Sequence, residues 1–143
     1  MKLELKHLAP YLPYGLKVQC DIWNEEICAV DGFSATLKDV RLTCIIARNK
    51  ERSEATTWTP KLEHCKPILR PLSDLTKNID NDERNVKYYS LLKTCYSEVD
   101  LRNFQEVPLI QKYDDVQILL EYHFDIFGLI EKGLAIDINT LNQ

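Results

Sequence analysis

The chain has 143 residues, of which 45% are hydrophobic and 28% are charged, with a formal net charge of −4. This length suits a single globular domain spanning residues 1–143, and the composition argues against global disorder. The mild acidity, without a dense basic cluster, argues against nucleic acid as a partner.

The targeting and redox signals favour the cytoplasm. The N-terminus lacks the apolar core of a signal peptide, and no run of about 18 apolar residues is present that could span a membrane. The five cysteines have irregular spacing without a C-x-x-C motif, and an odd number cannot pair completely within one chain. We therefore expect a soluble protein of a reducing cytoplasm, in which the cysteines act as small buried hydrophobic residues.

Alternating polarity predicts strands in the first third of the chain. Residues 16–23 place apolar side chains on one face and polar ones on the other, and residues 40–46 repeat this pattern. Between them, Asp31 and Gly32 are typical of a two-residue hairpin turn that joins two short strands. Because hairpin-length connections cannot join parallel strands, we expect an antiparallel sheet over residues 16–48.

The next segment is polar and then rich in proline. Residues 48–64 predict a loop or a weak edge strand. Residues 66–71 cannot be helical, because each proline disfavours the helical conformation of the residue before it. Ser73 is placed to cap a short helix over residues 74–78, and we expect residues 66–76 to form an ordered connector.

Helical spacing of apolar residues begins near residue 88. Residues 88–99 carry apolar side chains at the i, i+3, i+4 and i+7 spacing of a helix, whereas residues 100–108 are irregular. A second helix should begin near Asp114 and Asp115, because carboxylates favour the N-terminus of a helix.

The end of this second helix depends on two glycines. Gly128 would cost about 1 kcal/mol inside a helix, which favours a kink or an early end, whereas Gly133 is well placed as the left-handed residue that closes it. Residues 134–138 then predict a final strand. The whole pattern predicts an α+β fold, with an N-terminal antiparallel β-sheet packed against two C-terminal α-helices.

His123 is the one weak candidate for catalysis. It lies among large hydrophobic residues, and imidazole is the side chain that most often acts as a general base. Asp125 lies about 200° round the helix axis from it, so an orienting carboxylate would have to come from elsewhere. The alternative, which we favour, is a structural histidine that hydrogen-bonds a backbone carbonyl.

Other catalytic and ligand-binding patterns are absent from the sequence. His64 and Cys65 are adjacent, so on an extended segment they point to opposite faces and cannot act together as nucleophile and base. The three histidines are far apart, which predicts no metal site. The four glycines form no phosphate-binding loop, which predicts no cofactor.

Aromatic and arginine side chains point to a binding surface instead. Tyrosine and tryptophan are common anchors of protein interfaces, but these residues are scattered along the chain, so we expect most of them to pack against the core. Tyr11 with Tyr14 is the first candidate for an exposed aromatic patch. Arg70 could bind a carboxylate or a phosphate, or it could pair with an acidic residue of a nearby helix. We expect any interface to lie near Tyr11, Tyr14, Arg70 and Tyr122.

Three segments together resemble a known group of proteins. They are HLAPYLPYGLKVQ at residues 7–19, KPILRPLSDLT at residues 66–76 and LLEYHFDIFGLIEKGLAIDINT at residues 119–140, which make up about a third of the chain. They resemble small proteins from phages, prophages and other mobile elements of Bacteroidetes bacteria. The resemblance implies a setting inside a bacterial host cell and assigns no activity, cofactor or site residue.

The leading hypothesis is a phage or mobile-element accessory protein that is not an enzyme and binds a host or phage protein. One alternative is a small hydrolase or transferase that uses His123 with Cys65 or with a distal carboxylate. The other is a nucleic-acid-associated phage factor, which would need four cations to converge on one face, namely Lys61, Lys66, Arg70 and Lys93.

Overall fold

The computed structural model describes most of the chain, namely residues 2–21, 26–35, 40–46, 56–79, 84, 86–93 and 98–141. Within these residues, the sheet consists of β1 (Lys17–Cys20), β2 (Glu26–Ala35), β3 (Val40–Ile46), β4 (Thr56–Trp58), β5 (Cys65–Leu69) and β6 (Ile136–Asp137). The strands lie in the order β4-β3-β2-β1-β5-β6. Neighbouring strands are antiparallel, except that β5 and β6 are parallel.

Short helices accompany this sheet. The α-helices in the described part of the chain are α1 (Leu5–Leu8), α2 (Glu98–Glu106) and α3 (Tyr113–Glu121). Stretches of 3-10 helix lie at Ala9–Tyr14, Leu62–His64, Leu72–Thr76, Tyr88–Leu91, Pro108–Ile110 and Ile138–Thr140. The predicted α+β class, with the strands towards the N-terminus and the longer helices towards the C-terminus, is confirmed.

Alternating polarity builds the central strands as predicted. In β1, Val18 and Cys20 are buried while Lys17 is exposed, and this strand pairs with both β2 and β5. The strand predicted over residues 40–46 is β3, and β4 is the edge strand predicted within residues 48–64. The final strand predicted over residues 134–138 is β6, although it is only two residues long.

The hairpin predicted at Asp31 and Gly32 is wrong. Strand β2 runs straight through these residues, and its pairing with β3 shifts register between Val30 and Gly32. The Asp-Gly pair therefore forms a β-bulge, which accommodates one extra residue opposite β3. Pairing with β3 before and after the bulge, at Val30 and again from Gly32 to Ala35, overrides the local turn preference of these two residues.

Two further local predictions need correction. The short helix predicted over residues 74–78 is a 3-10 helix at Leu72–Thr76, and Pro71 occupies the N-cap position expected for Ser73. The chain at residues 66–71 is non-helical as predicted, but most of it is the paired strand β5 and not merely a connector.

The helix predicted over residues 88–99 is wrong for its described first half. Residues 88–91 form a 3-10 helix, and this segment is tied to residues 77–79 by backbone hydrogen bonds, such as that from the Tyr88 N–H to the Lys77 carbonyl at 3.0 Å. Residues 94–97 lie outside the described residues. Helix α2 instead covers most of residues 100–108, which the sequence leaves irregular because only Leu101 and Phe104 supply an apolar face there.

Helix α3 begins at Tyr113, with Asp114 and Asp115 in its first turn as predicted, but it ends at Glu121. This is earlier than an end at either glycine. Gly133 is nevertheless left-handed, with φ of 74°, and it closes a later turn in which its N–H donates to the Ile130 carbonyl at 3.0 Å.

One hydrophobic core joins the sheet to the helices. It contains buried residues from the N-terminal segment, the strands, α2, α3 and the loop after α3, including Tyr11, Val18, Leu42, Leu69, Phe104, Leu119, Phe124 and Leu129. The N-terminal segment and the loop after α3 pack in this same core, so each helps to fix the position of the other.

Candidate functional site

The chain reverses direction immediately after α3, in a Schellman motif. The His123 N–H donates to the Leu120 carbonyl at 3.0 Å, and the Phe124 N–H donates to the Leu119 carbonyl at 2.8 Å. His123 takes the left-handed position of this motif, with φ of 62°, where glycine is the usual residue. The segment that follows, residues 122–131, is called the reversal loop here.

The ring of His123 fixes the reversal loop to the N-terminal segment. Its Nε2 lies 2.6 Å from the carbonyl oxygen of Tyr14, so the Nε2–H donates to that carbonyl. Burial is the largest influence on the ring and lowers the pKa of His123; the Tyr14 carbonyl opposes this shift, and Arg70 and Lys17 add to it. The ring thus hydrogen-bonds a backbone carbonyl, which is the contact expected of a structural histidine.

A second link to the N-terminal segment comes from Tyr11. Its hydroxyl donates to the Phe124 carbonyl at 2.6 Å and accepts from the Ile126 N–H at 3.2 Å. The side chain is fully buried, and burial raises the pKa of Tyr11 well above its usual value. The hydroxyl therefore satisfies two backbone groups that have left regular secondary structure.

Asp125 holds the second half of the reversal loop. This buried carboxylate accepts hydrogen bonds from the Leu129 and Ile130 N–H groups, both at 2.8 Å. Its own N–H donates to the Arg70 carbonyl at 2.8 Å, next to the bond from the Arg70 N–H to the His123 carbonyl. The reversal loop is thus pinned to the end of β5, and its side chains have fixed positions.

A groove of about 590 Å³ lies beside this loop. One wall is the reversal loop, and the other is the C-terminal end of α2 with the 3-10 helix after it. The lining residues are Pro71, Leu72, Gln105, Glu106, Val107, Pro108, Leu109, Asp125, Ile126, Phe127, Gly128, Ile130 and Glu131. Most of these side chains are apolar, so the groove is a predominantly hydrophobic surface.

The second wall is also held by specific hydrogen bonds. The Gln105 amide donates to the Leu72 carbonyl at 3.4 Å, which links α2 to the segment after β5. The Gln111 amide donates to the Val107 carbonyl at 3.0 Å, close to where α2 ends. On this wall Val107 remains 43% exposed and Leu109 55% exposed, which is unusual for large apolar side chains that flank a cavity.

The charged groups of the groove are acidic. Glu106 on one wall and Glu131 on the other are both exposed. The carboxylate of Asp125 is turned towards backbone N–H groups inside the loop. Among the described residues, the lining itself includes no lysine or arginine, so the charged side chains of the rim are acidic. One cation lies just outside it, because the Lys132 ammonium donates to the Phe127 carbonyl at 3.4 Å.

The residues predicted to form a binding surface do not form one together. Tyr11 is fully buried, so it packs in the core as expected of most aromatic residues and forms no exposed patch with Tyr14. Tyr14 is half-buried, with its hydroxyl 3.3 Å from the Gln117 amide nitrogen. Tyr122 is half-buried against the edge of the Tyr88 ring.

Arg70 points into the molecule. Its guanidinium carbon lies 4.7 Å from the centroid of the Tyr88 ring, and its Nη1 lies 3.9 Å from a carboxylate oxygen of Asp74. Asp74 is buried and also contacts the Lys77 ammonium at 3.0 Å. Of the two sequence-based alternatives for Arg70, internal pairing with an acidic residue is the one that the structure shows.

The residues of the enzymatic alternative lie in separate environments. Cys65 is buried against Cys20, with the two Sγ atoms 3.6 Å apart, whereas the His123 ring contacts Tyr14. His64 points away from Cys65, as predicted, and its Nδ1 lies 3.1 Å from an Asp21 carboxylate oxygen. Among the described residues, no three His, Cys, Asp or Glu side chains are close enough to hold a metal ion.

Two of the four cations of the nucleic-acid alternative are engaged within the molecule. Lys93 pairs with Asp114 at 3.3 Å, and Arg70 is turned towards the interior. Lys66 is exposed on β5.

The groove was missed at the level of the sequence because its walls are separate segments. The only sequence signal is the apolar pair Val107 and Leu109 on either side of Pro108, because these residues belong to no predicted helix or strand. Comparison of the chain with known protein families, curated proteins and solved structures gave no match. In the part of the chain that the structure describes, no helix is long and apolar enough to cross a membrane.

Proposed function

We propose that this protein is a non-catalytic binding module, and that its groove holds a short apolar segment of a partner protein. The observation that carries the proposal is the groove itself, which has two fixed walls and apolar side chains left exposed at its edge. The sequence resemblance supports a setting in which a phage or mobile-element accessory protein acts in the cytoplasm of a bacterial host. The partner is then a host or phage protein.

The polar groups of the groove favour a protein segment over a small metabolite. Sites for small molecules combine an apolar lining with a few polar groups that point inward and fix the ligand's orientation. Here the Asp125 carboxylate is engaged by the Leu129 and Ile130 N–H groups, and the Gln105 amide is engaged by the Leu72 carbonyl. The groove therefore offers mainly apolar contact area, which suits side chains of another polypeptide.

The acidic rim defines the charge of this partner. With one exposed carboxylate on each wall, from Glu106 and Glu131, a segment that carries Lys or Arg beside its apolar residues would meet complementary charge. An acidic segment would be repelled by both walls. We therefore infer an apolar partner segment flanked by basic residues, bound chiefly by burial of Val107, Leu109 and the loop side chains opposite them.

The expected affinity is modest. Completing the burial of Val107 and Leu109 would contribute about 1 kcal/mol each, because roughly half of each side chain is already covered. A groove of about 590 Å³ lies within the range of about 300–1,000 Å³ that is typical of small binding sites, so it has room for only a few side chains. Recognition of a short linear segment, with micromolar affinity, fits these magnitudes better than a permanent complex.

The proposal is tested by selection of peptides from a random displayed library on the immobilised protein. Each selected peptide is then assayed on three proteins: the wild type, a Leu109→Asp variant and a Val99→Asp variant. Val99 is a matched control because it is 66% exposed on α2 and does not line the groove. We expect the selected peptides to combine apolar residues with Lys or Arg and to lose binding only to Leu109→Asp.

Two results would contradict the proposal. One is a set of selected peptides that bind the Leu109→Asp variant as well as the wild type. The other is enrichment of acidic peptides, which the carboxylates of Glu106 and Glu131 should exclude. Raising the salt concentration should also weaken the wild-type complex, since exposed charges are screened within about 10 Å at 0.1 M salt.

A further inference from the structure

We propose that Cys20 and Cys65 form an oxidisable dithiol, at which a peroxide joins β1 to β5 through a cross-strand disulfide. This inference is independent of the groove. It rests on the register of two strands, on the distance between two sulfur atoms and on the position of both cysteines at strand ends.

The register places the two cysteines face to face. Cys20 and Cys65 are direct partners in the antiparallel pairing of β1 with β5, and their Sγ atoms are 3.6 Å apart. Direct partners in antiparallel strands have Cα atoms about 4.5–5.5 Å apart, inside the range of about 4.4–6.8 Å that a disulfide requires. Bond formation therefore needs only side-chain rotation and no movement of the strands.

A third cysteine in the same sheet provides a contrast. Cys28 is buried like the other two, but its partner on β1 is Val18, so it is diagonal to Cys20. Diagonal neighbours are about 7–8 Å apart, beyond the reach of a disulfide. The geometry thus selects one pair among the described cysteines.

Hydrogen bonding orients the two thiols towards each other. The Cys65 thiol donates to the Lys61 carbonyl, with a distance of 3.5 Å between sulfur and oxygen. The two sulfur atoms also lie within hydrogen-bonding distance of each other, and either thiol can be the donor. This contact aligns the two sulfurs along the direction in which the S–S bond would form.

The position of the pair explains how an oxidant reaches it. Both thiols are buried, with Cys20 0% and Cys65 3% exposed, but Cys20 is the last residue of β1 and Cys65 the first of β5. The next residues along the chain from each, Asp21 and His64, contact each other with 3.1 Å between Oδ1 and Nδ1, which ties the two strand ends together. Opening of this exposed contact lets the strand ends separate, and this small local fluctuation admits solvent to both sulfurs.

The chemistry is a two-electron oxidation by a peroxide. One thiol loses its proton to solvent, and the thiolate attacks a peroxide oxygen, which breaks the O–O bond and leaves a sulfenic acid with release of water. The facing thiol then attacks this sulfur, the S–S bond forms, and the second oxygen leaves as water. For hydrogen peroxide, two thiols and one peroxide give one disulfide and two waters.

The disulfide would close a long loop. Cys20 and Cys65 are separated by 45 positions in the chain, and β2, β3 and β4 lie between them. A cross-link of this kind restricts the unfolded chain and so stabilises the folded one. In a reducing cytoplasm the resting form is the dithiol, and oxidation is a response that thiol reductants reverse.

The experiment uses the full-length protein, first reduced and then exposed to graded hydrogen peroxide. Remaining thiols are blocked with iodoacetamide under denaturing conditions, and tryptic peptides are analysed by mass spectrometry. A Cys28→Ser variant is treated in parallel, because no Lys or Arg separates Cys20 from Cys28 and the two residues share one tryptic peptide. If this variant folds poorly, fragmentation of the wild-type peptide assigns the linked cysteine.

We expect a linked pair of peptides carrying Cys20 and Cys65, with the loss of two hydrogen atoms and complete reversal by dithiothreitol. The oxidised protein should unfold at a temperature about 10 °C higher than the reduced protein. The proposal is overturned if both thiols stay reactive at peroxide levels that oxidise other cysteines, if Cys65 is converted to the sulfinic acid without a link, or if Cys20 pairs with a different cysteine.

Discussion

The hydroxyl of Tyr11 donates a 2.6 Å hydrogen bond to the backbone carbonyl of Phe124, which lies 113 positions further along the chain. This bond joins the N-terminal segment to the reversal loop, which supplies one wall of the groove. The shape of the proposed binding surface therefore depends on residues that never line it.

Tyr11→Phe removes the hydroxyl and keeps the ring. The Phe124 carbonyl and the Ile126 N–H then lose a buried partner, so we expect the free energy of unfolding to fall by about 1–3 kcal/mol. Urea denaturation followed by circular dichroism measures the change. Tyr113→Phe is the matched control, because Tyr113 is 78% exposed and its change should stay within about 0.5 kcal/mol. Equal effects of the two substitutions would contradict the role assigned to Tyr11.

The backbone conformation of His123 predicts an unusual order of stabilities. At φ of 62°, asparagine is tolerated, whereas a β-branched residue is strained. Both His123→Asn and His123→Val lose the ring's bond to Tyr14. The difference between their free energies of unfolding therefore reports the strain in the backbone. We expect His123→Val to be less stable than His123→Asn by about 1–2 kcal/mol. Equal stability of the two variants would show that the reversal does not require a left-handed residue.

The stability of the protein should also fall on mild acidification because of His123. Burial lowers the pKa of this residue in the folded state, so between that pKa and its ordinary value of about 6.5 the unfolded chain binds more protons. The stability that comes from the lowered pKa of His123 is fully present above about pH 6.5. It is lost as the pH falls through that pKa. Urea midpoints measured between pH 8 and pH 5 should show a shallower decline for His123→Asn than for the wild type. Identical slopes for the two proteins would show that protonation of His123 does not cause the loss of stability.

Asp125 should matter for stability more than its neighbours in the loop. Asp125→Ala leaves the Leu129 and Ile130 N–H groups without their acceptor, and we expect a loss of about 2–4 kcal/mol in the free energy of unfolding. Glu131→Ala, an exposed position in the same loop, is the control and should change stability by less than about 0.5 kcal/mol. Chemical denaturation measures the free energy of unfolding of both variants. A small loss for Asp125→Ala would mean that the loop is held by other contacts.

The sequence predicts those parts of the fold in which one side-chain period governs a whole element. The alternation of polar and apolar residues predicts strand β1. The two neighbouring aspartates predict the first turn of α3. The prediction fails where contacts between distant segments override local preference. The local preference of Asp31 and Gly32 is for a turn. Strand β2 nevertheless stays extended there, because it pairs with β1 before these residues and with β3 before and after them.

The site is less accessible to sequence reasoning than the fold. A structural role for His123 follows from its apolar surroundings, but its left-handed backbone does not, since this position is usually glycine. The pairing of Cys20 with Cys65 depends on the register of β1 with β5, and these strands are separated by three others in the chain. The groove depends on how α2 approaches the reversal loop, and no local pattern encodes that distance.

The central claim is that the groove binds a basic, apolar protein segment, and the most direct measurement is the dissociation constant of one selected peptide. Fluorescence anisotropy gives this constant for the wild type and for the Leu109→Asp and Val99→Asp variants at equal salt concentration. We predict that Leu109→Asp weakens binding by about tenfold or more, equivalent to about 1.4 kcal/mol, and that Val99→Asp binds within about twofold of the wild type. Unchanged affinity of the Leu109→Asp variant, shown to be folded by circular dichroism, would contradict the claim.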